Sequence, residues 1–106
     1  MIYIDGMTIA IPRGDSASVT LVFSSNEADG HELVFTVKGC CLHEHAPLIV
    51  KRVTVEDAHA VVTFDREDTD IAPKRYRWDV CLVKDGEKNT PIKPQTFEIL
   101  EVVNNA

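Results

Sequence analysis

Apolar residues recur at every second position along most of this chain, a period that predicts strands with one buried face. Met7, Ile9 and Ile11 alternate until Pro12-Arg13-Gly14-Asp15 interrupts them. From 16 to 23 the pattern resumes, with Val19, Leu21 and Phe23 on one face and Ser18 and Thr20 on the other. Residues 26 to 30 have the composition of a turn. A strand over 32–39 turns Leu33, Phe35 and Val37 inward, and 40–47 reads as irregular. Residues 48–55 and 58–64 read as two strands about a short Glu56-Asp57 turn. Residues 66–73 form a corner, and 75–83 is the strongest strand, with Tyr76, Trp78, Val80 and Leu82 on one face. A polar hairpin loop over 84–89 carries Asp85-Gly86, a pair suited to a tight turn. The last strand spans 91–103, and Pro91 and Pro94 predict an irregular or edge-exposed start.

No segment has a helical period. About seven short strands with turns between them predict an all-β fold, an immunoglobulin-like β-sandwich of antiparallel strands. The 106 residues fit one domain, 1–106, with 104–106 as a frayed tail. A chain of this length buries roughly two-thirds of its unfolded surface and needs no metal or disulfide to hold it.

Composition narrows the partners. A net charge of −6 argues against nucleic acid and against an anionic membrane, both of which ask for a cationic face. No apolar run approaches the ~20 residues of a membrane span. Residues 1 to 6 lack the basic and apolar stretches of a signal peptide, so synthesis and folding in a cytosol are expected. Cys40, Cys41 and Cys81 are odd in number and two are adjacent, so reduced thiols are expected.

The stretch Ile71-Ala72-Pro73 followed by Tyr76-Arg77-Trp78-Asp79-Val80 resembles the corner of immunoglobulin-like and fibronectin-type domains. There a tyrosine at the start of a strand bonds back to the corner backbone and sets the crossing between sheets. The resemblance makes Tyr76 that tyrosine and Pro73 part of the corner. Trp78, two residues on, shares the face of Tyr76 and is expected to fill the core, while Cys81 lies on the opposite face. The immunoglobulin disulfide is therefore absent.

A more specific resemblance rests on three stretches. Ile9-Ala10-Ile11-Pro12-Arg13-Gly14-Asp15-Ser16 is similar to the opening of small phage tail and baseplate domains. Asp68-Thr69, a turn, then Tyr76-x-Trp78-Asp79-Val80 is similar to their second signature, although a glycine usual before the tyrosine is replaced by Pro73-Lys74-Arg75. Lys84-Asp85-Gly86, Thr90-Pro91 and Pro94-x-x-Phe97-x-Ile99-x-x-Val102 resemble the closing hairpin and strand. About half of the chain is covered, and the family is that of the N-terminal domain of the phage baseplate upper protein and related prophage tail proteins. The resemblance implies a non-enzymatic assembly module of a tail or baseplate. Its partners would be other virion proteins or a second copy, docked through edge strands. It would be made in the host cytoplasm and then built into a virion, or stay cytoplasmic if a prophage remnant.

Candidate chemistry is sparse, and no cofactor is expected. Cys40, Cys41, His43 and His45 offer thiolates and imidazoles, the side chains a zinc-like ion prefers. Their spacing matches no common zinc motif, so an irregular loop is the first reading and a small loop-based metal- or ligand-binding module the second. A Cys–His pair so local lacks the third group of a nucleophilic triad. Glu67, Asp68 and Asp70 sit in one corner rather than across a cleft, which suits a solvated or capped turn better than acid–base catalysis. Gly14 is expected to permit a turn, and Asp15 to bond the backbone two residues on.

Overall fold

The computed structural model describes residues 8–39, 46–90 and 94–103. Eight strands follow in order: β1 (Ile9–Pro12), β2 (Ala17–Val22), β3 (Glu32–Gly39), β4 (Ile49–Thr54), β5 (His59–Phe64), β6 (Arg75–Lys84), β7 (Glu87–Asn89) and β8 (Gln95–Leu100). One 3-10 turn, Asn26–Ala28, lies between β2 and β3. The larger sheet has the order β1-β8-β6-β3-β4, with β7 also on β6, and the smaller sheet is β2-β5. The fold is all-β, an immunoglobulin-like β-sandwich in which the chain changes sheet at β1–β2, β2–β3, β4–β5 and β5–β6.

Two expectations need correcting. The strands are not all antiparallel: β1 pairs parallel to β8, Ile9 opposite Phe97 and Ile11 opposite Ile99. A parallel pair needs a long connection, and here the two strands are the first and last described. Second, 84–89 is more than a loop. Glu87–Asn89 folds back on β6 around Asp85-Gly86, whose φ values of 53° and 81° are those of a tight primed turn. β7 and β8 run along the same edge of β6, since β3 takes the other. The pairing of Leu82 with Asn89 and Lys84 with Glu87, carried on, would set Trp78 opposite residue 93; it faces Gln95 instead. The strand along this edge of β6 thus comes in two pieces, β7 and β8, with a two-residue shift of register between them, and Pro94 just before β8 has no N–H to give the ladder. Residues 91–93 lie outside the described residues.

The core follows from the period-two pattern. β3 and β6 pair over eight positions and bury Leu33, Phe35, Val37, Tyr76, Trp78, Val80 and Leu82 on one face. Phe35 stacks on Trp78 with ring centroids 4.9 Å apart. Phe64 from the smaller sheet meets Phe35 edge-on at 5.4 Å and Phe97 at 5.7 Å. Edge-to-face and offset contacts of this kind add to the burial of each ring. The four rings hold the two sheets face to face, and β2 adds Leu21 with half-buried Val19.

Candidate functional site

Tyr76 begins the inward face of β6 and is 3% exposed. Its hydroxyl donates to the Ala72 carbonyl at 2.6 Å, which ties the strand to the corner four residues upstream. Lys74 Nζ sits 5.2 Å from the ring centroid. Pro73 is exposed on the corner itself. Trp78 is buried at the centre of the aromatic group, and the Cys81 thiol, free and half-buried, lies on the other face of β6.

The stretch 12–15 and the corner 65–70 pack on each other. Gly14 has φ +80°, which a tight turn needs at its third position, and the Asp15 N–H donates to the Pro12 carbonyl at 3.1 Å to close it. The Gly14 N–H donates to the Thr69 carbonyl, and the Arg66 Nε–H donates to the Gly14 carbonyl, each at 3.3 Å. Arg13 Nε lies 3.0 Å from Asp70 Oδ1. Thr69 is fully buried, and its hydroxyl donates to the Asp15 carbonyl at 2.7 Å. The expected side-chain bond of Asp15 is not formed among the described residues. Its carbonyl makes the connection, because Gly14 already closes the turn.

The acidic corner is not uniformly solvated. Glu67 and Asp70 are exposed, but Asp68 lies 2.7 Å from Lys51 Nζ on β4. Asp68 Oδ2 accepts the Asp65 N–H at 2.8 Å and Asp65 Oδ1 accepts the Asp68 N–H at 3.0 Å, a reciprocal pair resembling a capping box. Partial burial works to raise the Asp68 pKa. The bonds from Lys51 and the Asp65 backbone, with the Lys51 charge, outweigh it and hold the carboxyl below its ordinary value. Lys51 is distant in sequence and nothing local announces the contact. These groups brace the join between the sheets.

Cys40, Cys41, His43 and His45 lie outside the described residues. Among the described residues no group of three or more histidine, cysteine or acidic side chains is set to hold a metal ion, and no helix is long and apolar enough to cross a membrane. Among the described residues, shallow hollows of about 230 and 280 Å³ lie near Lys38 and Arg77, and near His31 and Asn89. Both fall below the ~300–1,000 Å³ of ordinary small-molecule sites.

The edges are the feature that the sequence reading did not resolve. β2, Ala-Ser-Val-Thr-Leu-Val, and β5, His-Ala-Val-Val-Thr-Phe, hold no lysine, arginine, acid or proline. The other sheet's edges are guarded, β1 by Pro12 and β4 by Lys51 and Arg52. In β2–β5 the Phe23 N–H bonds the Ala58 carbonyl, which extends the register of Leu21 with Ala60 and Val19 with Val62. Alternation of the ladder then turns the backbone groups of Ser18, Thr20 and Val22 away from β5. Among the described residues no strand meets them. The far edge of β5 is partly closed, since His59 exchanges two backbone bonds with Glu56. The outer face over this edge is exposed, Val22 at 60% and Val61 at 51%. A legible signal existed: two charge-free strands in a chain that is 26% charged. No known protein-family model matches the chain, and a search of curated proteins finds no match.

Proposed function

We propose that this chain is a non-catalytic assembly module of a phage or prophage tail, working through protein–protein contacts at the open edge of β2. The observation that carries the reading is the row of backbone groups on Ser18, Thr20 and Val22 that no strand meets among the described residues, set in a strand with no charged residue or proline. Such an edge supplies main-chain hydrogen bonds to an added strand, and the exposed side chains of Thr20 and Val22 select it. The resemblance of the 9–16, 68–80 and 84–102 stretches to tail and baseplate domains supplies the setting, and the braced corner would keep the edge rigid.

The test is incorporation. Tail particles sedimented from a lysate of the source strain should contain the chain at a fixed ratio to the tail tube. A Thr20→Pro chain should fold, because the Thr20 N–H points away from β5, yet be lost from the particles. If the wild-type chain stays in the supernatant while intact tails pellet, the tail reading fails.

A further inference from the structure

We infer that the strand completing the β2 edge is β2 of a second copy, paired antiparallel about a two-fold axis through Thr20. This rests on the assembly reading and names its partner. Side chains alternate, so inward residues of both copies meet only if the axis passes through a residue rather than between two. With Thr20 on the axis, Ser18 faces the second copy's Val22, Thr20 faces its equivalent, and Val22 faces the second copy's Ser18. Every outward-pointing backbone group within β2 then finds a partner, and each of these pairs exchanges two N–H···O bonds. An axis through Val19 would instead leave Val22 opposite Ser16, which lies outside the strand.

Charge selects a second copy over other positions on the surface. Two chains of net charge −6 repel wherever charged faces approach. Among the described edges, β2 is the one with neither a charged residue nor a proline and with its outward backbone groups unpaired. Pairing would turn the two-stranded sheet into a continuous four-stranded one, β5-β2-β2-β5. Isolated two-stranded sheets are marginal, and three or more strands gain independent stability. Thr20 against Thr20 is also a favourable cross-strand pair.

Mixing charge variants tests the register. By light scattering, the wild-type chain should rise with concentration from 11.8 kDa toward twice that mass. The amides of Ser18, Thr20 and Val22 should exchange more slowly as it does. Thr20→Lys and Thr20→Glu, each alone, place like charges across the axis and should weaken association by roughly fivefold. An equal mixture of the two should restore it, whereas Thr63→Lys mixed with Thr63→Glu should show no such recovery. A monomer with fast-exchanging β2 amides would overturn self-pairing while leaving the tail reading to a different partner. A monomer with protected β2 amides would overturn it too, the edge then being covered from within the chain. A dimer indifferent to charge at Thr20 would place the interface elsewhere. Dimerisation without entry into tail particles would uphold this inference and sink the tail reading.

Discussion

At the scale of single residues, the join between the sheets depends on a few polar atoms. Tyr76→Phe keeps the ring in the core and removes the hydroxyl's bond to Ala72. Thr69→Val keeps the shape and removes the bond to Asp15. A net intramolecular hydrogen bond contributes about 1 kcal/mol, so each variant should lower urea stability by about that much with an unchanged dependence on urea. A loss under 0.3 kcal/mol, against that estimate, would show that water replaces the bond. Asp68 adds a dependence on pH. Its folded pKa lies below the ordinary 3.8, so between the two values the unfolded chain binds more protons and stability rises with pH. The contribution is complete above the unfolded value and is lost as pH falls through the folded one. The stability gap between the wild type and Asp68→Asn should therefore be constant from pH 7 to about 5 and close below 3.8. A gap that persisted at pH 2 would assign it to packing. Asp68 and Thr69 were visible as a motif in the sequence. Their roles were not, because Lys51 and Asp15 approach only once the sheets are packed.

At the scale of elements, period two located nearly every strand, and the differences fall where local chemistry competes with it. The β4–β5 link is one. The sequence suggests a turn at Glu56-Asp57, but the backbone turns at Asp57-Ala58, with φ 50° and 60°. Glu56 is held opposite His59 by two backbone bonds, and the Ala58 N–H donates to Asp29 Oδ1 at 2.8 Å. Those anchors place Ala58 in a left-handed conformation that alanine does not prefer. Tertiary contacts overrule the residue's own preference, so no reading of alternation could have found the turn. The strain costs an L-residue about 1–2 kcal/mol, and glycine gives back about 0.5–1 in unfolded-state entropy. Ala58→Gly should raise the melting temperature by about 2–4 °C. A fall in its place would show that the half-buried Ala58 methyl contributes more by packing than its backbone costs. β7 is another such case: Asp85-Gly86 marks a turn, but the pairing of Glu87–Asn89 back on β6 goes unread in a segment that reads as loop, and the prolines at 91 and 94 point only to an irregular start of the closing strand.

At the scale of the whole molecule, stability should be graded outward from β3 and β6. These two strands pair along the full length of β3. Their inward face carries Phe35 and Trp78, which meet Phe64 and Phe97 across the core. β7 is three residues long and wholly exposed, and β1 is held by four residues on one side. Regions with little buried surface open locally, while central strands open only when the whole domain does. Amide exchange in the native state should therefore give β3 and β6 protection equal to the global unfolding free energy. β7 and β1 should exchange by smaller openings that urea hardly affects. Trp78→Ala removes the largest side chain of the core, a change that costs about 3–5 kcal/mol. It should pull β3, β6 and β8 down together, because their rings share one cluster, and leave β7 as it was. Independent melting of β8 in that variant would divide the aromatic group into separate units. It would also make the corner, rather than the rings, the bond between the two sheets.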